Sequence, residues 1–153
     1  MTSDTDLRDA LVKIGDQIQK NARFSERDIA TFATLCGDWN PLHYDAEAAQ
    51  HSPFGEKIAS GAHSSALLMG LATSHFSRNI DGIQRQAVAL SFNFAFKAPI
   101  YAEEDLELQW TILDREWNPK LRGWVAQAEG SARTARSGAA LVARAVLLVK
   151  APD

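Results

Sequence analysis

The stretch AHSSALLMGLATSHF, residues 62–76, decides the fold class of this chain. Its apolar and small residues are spread almost all round a helix, a pattern typical of a buried helix. At about 1.5 Å per residue such a helix is roughly 22 Å long, enough to cross the inside of a small domain. We therefore predict one buried helix, beginning near Gly61, that the rest of the chain has to cover.

The segments that follow this helix predict the covering layer. Apolar side chains recur with period two in two runs, Leu90, Phe92, Phe94 and Phe96, then Leu106, Leu108, Trp110 and Ile112. Residues 17–24 predict another strand. Residues 124–133 and 139–149 predict a hairpin that turns at Ser137-Gly138, whereas the polar segment 114–123 is interpreted as a loop. About five strands grouped after helices predict an α+β fold, with a curved antiparallel sheet wrapped around the central helix.

A second, amphipathic helix is predicted before the central one. Ser25 and Asp28 have the spacing of a helix cap, and Gly37 is a typical stop. Apolar residues then recur at the helical spacing, at Ile29, Phe32, Ala33 and Cys36. Cys36, at the end of this stripe, is predicted to be a small buried residue rather than a nucleophile.

The composition favours a compact single domain. The chain has 153 residues, of which 46% are hydrophobic and 23% charged, close to globular averages. We predict one domain over residues 1–153, with residues 1–13 peripheral. The single cysteine excludes an internal disulfide, and the polar start lacks the features of a secretory signal, so a cytoplasmic location is expected.

Charge and hydropathy exclude two classes of partner. The net charge of -3 comes with scattered Lys and Arg residues, which does not fit nucleic-acid binding. The most apolar segment, residues 139–149, is interrupted by Arg144 and is far shorter than the roughly 20 residues of a membrane span. Neither nucleic acid nor membrane is therefore expected as a partner.

The loop GDWNPLH, residues 37–43, combines an acid, an amide and an imidazole. Pro41 restricts one backbone angle and biases Asn40 towards an extended conformation, so the loop is stiff. Asp38 and His43 could then both reach one small molecule, such as water, as an acid/base pair requires. The same residue types also form ordinary surface turns. The spacing by itself leaves both interpretations open.

Longer segments resemble one enzyme family. GDWNPLHYD (37–45) and PFGEKIASGAHSSALLMGL (53–71) are similar to the signature of the MaoC-like dehydratases and (R)-specific enoyl-CoA hydratases, which have the hot-dog fold. FSERDIATFATLCGDWNPLH (24–43) resembles the helix that leads into their catalytic loop. LSFNFAFKAPIYAEEDLEL (90–108) resembles their Phe-rich strand and Pro turn. The resemblance covers the chain from about residue 14 to residue 149.

The resemblance implies a hydro-lyase. Asp38 and His43 would be the catalytic pair that adds water to a trans-2-enoyl thioester, with the division of the proton transfers between them left open. Asn40 would orient the loop, and the Gly61 N–H would hold the thioester carbonyl at the start of the central helix. Ala62 and His63 complete the expected substrate-binding residues. Because Ala62 stands where one branch of the family has an aromatic residue, an altered acyl site is expected.

The resemblance also implies an acyl-CoA substrate, with an acyl carrier protein thioester as the less favoured choice, and a homodimer or higher homo-oligomer. No cofactor is expected. No metal site is expected either, since His63 and His75 lie about 18 Å apart along one predicted helix and Cys partners are lacking. Two alternatives stay open: an acyl-CoA thioesterase on the same fold, and a non-catalytic subunit that binds acyl-CoA.

Overall fold

The computed structural model describes residues 4–79 and 81–153. Its helices are α1 (Asp4–Asp9), α2 (Glu26–Cys36), α3 (Ala46–Gln50) and α4 (Gly61–His75), with a 3₁₀ turn at Pro41–His43. Its strands are β1 (Gln17–Arg23), β2 (Gln86–Phe96), β3 (Asp105–Asn118), β4 (Gly123–Thr134) and β5 (Gly138–Lys150). All neighbouring strands pair antiparallel in the order β1-β3-β4-β5-β2, so β1 and β2 are the edges of one sheet.

Helix α4 packs against the sheet through one face, which confirms the predicted α+β arrangement. Leu68 and Ala72 on that face are completely buried. The indole of Trp110, on β3, lies beneath the helix and donates a hydrogen bond to Leu68 O at 2.8 Å. The prediction that α4 is buried on all sides is wrong, because its opposite face, formed by small residues such as Ala66 and Gly70, is exposed.

A β-bulge divides the apolar residues of β2 between the two faces of the sheet. The pairing of β2 with β5 shifts register between Ala89 and Ser91, so the period-two pattern breaks at Leu90. Phe92 and Phe94 pack on the core, whereas Leu90 is 48% exposed. The single run predicted from Leu90 to Phe96 is therefore wrong at Leu90, because an inserted residue reverses the side-chain direction.

Helix α2 begins as predicted and exposes its cysteine. Ser25 Oγ accepts from Asp28 N at 3.0 Å, and Asp28 Oδ2 accepts from Ser25 N at 2.9 Å, which closes the capping box. Gly37 ends the helix with a φ of 70°. Cys36, however, is exposed, and its thiol donates to Phe32 O at 3.1 Å. The prediction of a buried Cys36 is wrong, since the last residue of α2 lies beyond the core.

The segment after α1 belongs to the core. Leu11 and Val12 are only 3% and 0% exposed, so the prediction that residues 1–13 are peripheral is wrong for these two. Arg85 donates to Leu11 O at 2.7 Å and to Ala10 O at 2.9 Å. These charge-assisted bonds, together with burial of the two apolar side chains, join the segment to the sheet.

The predicted loop at 114–123 is mostly strand. β3 continues to Asn118 after a register shift at Leu113, and only residues 119–122 turn. Trp117 pairs across the hairpin with Trp124, whose indole donates to Arg8 O at 2.8 Å. Polar composition predicted a loop here, but the hairpin end packs against the N-terminal segment. No helix within 4–79 and 81–153 is long and apolar enough to cross a membrane.

Candidate active site

The loop after α2 is folded by its own short-range hydrogen bonds. Gly37 adopts the left-handed conformation that ends the helix, and Asp38 N donates to Ala33 O at 2.8 Å. Asn40 Oδ1 accepts from Leu42 N at 3.2 Å and caps the 3₁₀ turn, with Pro41 as its first residue. The chain therefore turns back on itself immediately after Asp38.

This turn brings Asp38 and His43 together. Asp38 Oδ2 lies 3.3 Å from His43 Nε2, while Asp38 Oδ1 accepts from Asn40 N at 3.2 Å. The side chain of His43 is 6% exposed and that of Asp38 is 35% exposed. The pair therefore consists of a buried imidazole and a carboxylate that solvent can reach.

The backbone of Ile58 orients the imidazole. His43 Nδ1 lies 2.7 Å from Ile58 O, and because a carbonyl oxygen only accepts, Nδ1 carries the proton. Ile58 N in turn donates to Leu42 O at 3.1 Å, which holds the two segments side by side. Nε2 is thus directed at Asp38. At 3.3 Å Nε2 and Oδ2 are close enough to share one proton directly, so the pair is arranged to exchange a proton.

A pocket of about 550 Å³ opens beside this pair. Asp38, Asn40 and His43 form one wall, Gly61 and Ser64 of α4 form another, and Lys97, the residue directly after β2, also lines the pocket. The remaining lining is apolar, from Phe54, Ile58, Ala59, Phe96, Ala98, Pro99, Ile100, Ala140 and Leu141. An acid/base pair at the wall of an apolar pocket suits a ligand with one polar reacting group on an apolar chain.

Gly61 places the start of α4 against Phe96. A Cβ at Gly61 would lie 2.6 Å from Cε1 of Phe96, so the ring and the helix backbone are in close contact only because this residue is glycine. The Gly61 N–H belongs to the first turn of the helix and has no acceptor among the described residues. Gly61, at the N-terminus of α4, therefore lines the same pocket as Asp38 and His43.

Two of the expected substrate-binding residues lie outside this pocket. Ala62 is exposed, and His63 borders a separate cavity of about 330 Å³ with Phe24, Phe32 and other residues. Successive helical residues are about 100° apart, so His63 points nearly opposite to Gly61. The structure brings together Asp38, Asn40, His43 and Gly61, but neither Ala62 nor His63 with them.

His63 joins α4 to α2 and to the end of β1. Its ring stacks on Phe24 with centroids 4.0 Å apart and on Phe32 with centroids 4.2 Å apart. His63 Nδ1 is buried and has no hydrogen-bond partner in the described part of the chain. Burial lowers the pKa of His63 from its ordinary value, and the nearby Asp28 carboxylate opposes part of that change. The neutral imidazole is therefore the form that fits this place.

Ser64 and Phe96 line the pocket but were not among the predicted site residues. Ser64 is 4% exposed, and its hydroxyl donates to Gly61 O at 3.1 Å. A signal for Ser64 existed, since residues three apart share a helix face, whereas His63 is two residues from Gly61. Phe96 carried no such signal, because its contact with Gly61 joins distant segments. Across the described ranges no three His, Cys, Asp or Glu side chains form a group that could hold a metal ion.

Comparison with known proteins assigns the family. The model of the MaoC-like domain matches residues 10–122, most of the chain. The protein belongs to the MaoC-like domain family. The matched range contains the Asp38 and His43 loop and the start of α4, and it ends before β4 and β5, which complete the sheet.

Two curated relatives show how far the likeness in sequence extends. A mitochondrial 3-hydroxyacyl-[acyl-carrier-protein] dehydratase of Arabidopsis thaliana is 32% identical over 111 residues, 72% of this chain and 62% of that protein. The (R)-specific enoyl-CoA hydratase of Aeromonas caviae is 28% identical over 110 residues, 71% of this chain and 77% of the relative. This chain thus spans less than two thirds of the plant protein's length.

A solved structure confirms the fold. The (R)-hydratase from A. caviae superposes with a TM-score of 0.75 at 23% identity, over 92% of this chain and 98% of that one. At this identity the likeness establishes the fold and not the activity. The predicted hot-dog fold is therefore confirmed.

Proposed function

We propose that this MaoC-like protein is a hydro-lyase that interconverts a trans-2-enoyl thioester and the (R)-3-hydroxyacyl thioester. The proposal rests chiefly on one observation, the 3.3 Å approach of Asp38 Oδ2 to His43 Nε2 at the wall of an apolar pocket. Relatives named as a hydratase and as a dehydratase support the reaction class.

In the proposed hydration, Asp38 and His43 hold one water molecule beside the double bond. One of the two groups takes a proton from the water as its oxygen forms a bond to C3 of the enoyl chain. The electron pair of the double bond moves towards the thioester carbonyl, and C2 then receives a proton from the pair. The partial exposure of Asp38 supports it as the group that meets the water, because His43 is held on its other side by Ile58 O.

Gly61 would stabilise the charge that develops on the thioester oxygen. Its N–H points out of the first helical turn, where the helix dipole adds positive potential. A donor aimed at an enolate-like oxygen is worth about 10²–10³-fold in rate in comparable sites. Asn40 has a supporting role in this proposal, since its side chain closes the turn that carries the pair.

The substrate in this proposal is an acyl-CoA. The apolar walls of the pocket, among them Phe54, Ile100 and Leu141, suit a hydrocarbon chain. The relatives divide between coenzyme and carrier protein, since one is named for enoyl-CoA and another for an acyl-carrier-protein substrate.

We include a homodimer in the proposal. β2 is an edge strand of 11 residues, and it leaves Val88 51% and Leu90 48% exposed. A long edge with exposed apolar side chains favours pairing with another chain. Light scattering of the purified protein tests this point, with a dimer mass expected and a monomer mass at micromolar concentration contradicting it.

A cytoplasmic location remains a separate prediction. The plant relative is named as mitochondrial, so the relatives do not decide the matter. Fractionation of the source cells with an antibody against the protein tests it, and recovery in any other compartment would show the prediction to be wrong.

The reaction is tested with purified protein and crotonyl-CoA. Loss of the conjugated double bond and release of free thiol are followed separately, and the product is analysed for chirality. We expect hydration to (R)-3-hydroxybutyryl-CoA without thiol release. Thiol release without hydration would favour a thioesterase, and no reaction with short and long enoyl-CoA substrates would favour a non-catalytic subunit.

A further inference from the structure

Lys97 is the cation that lines the pocket containing Asp38 and His43. It directly follows β2, and its backbone N–H donates to Ala140 O at 2.8 Å, so its main chain is held by β5. Lys97 is exposed although it lines the pocket, so it lies at the solvent-facing edge of the pocket, which we call the rim. In the described residues Lys97 has no carboxylate within ion-pair distance.

The neighbouring cations differ from Lys97 because each already has an anionic partner. Lys57 Nζ lies 3.0 Å from Glu26 Oε2. Arg136 lies 3.3 Å from Glu56 Oε1, and its guanidinium also covers the ring of Tyr101 at 3.6 Å. In both pairs the carboxylate neutralises the positive charge that a ligand would otherwise meet.

Among the described residues that line the pocket, Lys97 is the one Lys or Arg, so the lining contains no cluster of cations. An acidic carrier protein needs a complementary basic patch for docking, and a single lysine does not form one. A small phosphate ester needs only one or two cations, which a flexible lysine supplies as a point charge.

From these observations we infer that Lys97 binds a phosphate of coenzyme A, and that the carrier of the acyl group is the free coenzyme rather than a carrier protein. The inference rests on the proposed function, since it takes the thioester to be held near Asp38. The pantetheine arm separates the thioester from the first phosphate, so that phosphate lies at the rim or beyond it. This is the position of Lys97.

Binding of butyryl-CoA, a saturated thioester that cannot be hydrated, tests the inference without requiring turnover. Calorimetry compares the wild type with Lys97→Gln and Lys97→Glu, and Lys20→Gln serves as the control. Lys20 is also exposed but lies on β1, at the opposite edge of the sheet. We expect Kd to rise about two- to fivefold for Lys97→Gln, more for Lys97→Glu, and to stay unchanged for the control.

A truncated ligand identifies the group that Lys97 contacts. Butyryl-N-acetylcysteamine has the same acyl thioester but no phosphate, so its Kd is expected to be equal in the wild type and both Lys97 variants. Equal Kd values for butyryl-CoA across the variants, or a similar weakening with the truncated ligand, would overturn the role of Lys97. Tighter binding of butyryl-acyl carrier protein than of butyryl-CoA would overturn the choice of carrier.

The proposed function is judged separately. Hydration of crotonyl-CoA by the wild type together with unchanged binding in Lys97→Gln would retain the reaction and remove Lys97 from it. Weaker binding in the Lys97 variants without any hydration by the wild type would support the phosphate contact and refute the hydratase.

Discussion

At Gly61 the addition of a single methyl group is expected to alter the pocket while leaving the stability of the fold almost unchanged. In Gly61→Ala the new Cβ would lie 2.6 Å from Cε1 of Phe96, a ring that is 59% exposed and has room to move. We expect the free energy of unfolding to change by less than about 1 kcal/mol. The kcat/KM for crotonyl-CoA is expected to fall about 10- to 100-fold, because the displaced ring lines the pocket.

Gly130→Ala is the matched control for that substitution. There the Cβ would lie 2.6 Å from Cε3 of Trp110, which is 1% exposed and bonded to Leu68 O. Since this ring has nowhere to move, a loss of about 1–3 kcal/mol is expected in denaturant unfolding. Full activity in Gly61→Ala would contradict the placement of Gly61 in the site.

The lowered pKa of His63 is expected to make the stability of the protein depend on pH. Burial lowers the pKa of His63 below its ordinary value of 6.5, so the unfolded chain takes up a proton at a higher pH than the folded one. The free energy of unfolding is therefore highest above pH 6.5 and decreases as the pH falls through 6.5 towards the lowered pKa. Burial lowers the pKa of His75 as well, which adds a change of the same sign.

Urea unfolding between about pH 7.5 and about pH 5 measures this effect. His63→Phe keeps an aromatic ring between Phe24 and Phe32 and removes the titrating group. As the pH falls over this range, the free energy of unfolding is expected to decrease less in the variant than in the wild type. The decrease that is due to His75 should remain in both proteins. An identical pH dependence in both proteins would mean that His63 is not held in its neutral form by the fold.

Among the elements, the N-terminal segment is the one whose role was least visible in the sequence. Leu11 and Val12 looked peripheral because nothing nearby in the chain marks them as core residues. The groups that hold the segment come from far along the chain, such as Arg85, which donates to Leu11 O from 74 residues away. Local patterns do not contain contacts of this kind.

Arg85→Gln tests the importance of that attachment. The Arg85 side chain is 9% exposed and donates to three backbone carbonyls, those of Ala10, Leu11 and Ile83, and to both carboxylate oxygens of Asp81. We expect a loss of about 1.5–3 kcal/mol in the free energy of unfolding, since buried carbonyls lose a charged donor. Arg144→Gln is the control, because Arg144 is 66% exposed in its pair with Glu129 and should cost at most about 1 kcal/mol. Equal losses in the free energy of unfolding for the two variants would contradict a stabilising role of Arg85 in holding the N-terminal segment.

Strands and helices were predictable where one period dominates a segment. The run from Leu106 to Ile112 is buried as the alternation predicted, and α2 has the cap and the stop that Ser25 and Gly37 indicated. The pattern failed at Leu90, where a bulge inserts one residue. The prediction that His63 binds substrate also differs from the structure, since Ser64, three residues after Gly61 on the same helix face, lines the pocket instead. The position of a bulge in a strand and the face that a helix turns to a pocket both depend on neighbouring elements, which the sequence of one segment does not reveal.

In the whole molecule, the candidate site lies where four distant parts of the chain meet. The loop after α2 supplies Asp38 and His43, α4 supplies Gly61, and the end of β2 and the start of β5 complete the pocket. The sequence could identify the pair and the glycine through a family resemblance, but the backbone of Ile58 as the partner of His43 required the folded chain. In the proposed reaction Asp38 and His43 act together on one water molecule.

The most direct test is the rate of crotonyl-CoA hydration by the wild type, Asp38→Asn, His43→Gln and the double variant, each first shown by denaturant unfolding to be folded. We predict that each single variant loses about 10²–10⁴-fold in kcat. The kcat of the double variant should be only slightly lower than that of the slower single variant, because the effects of substituting groups that act as a unit are not additive. Near wild-type rates in both single variants would contradict the account.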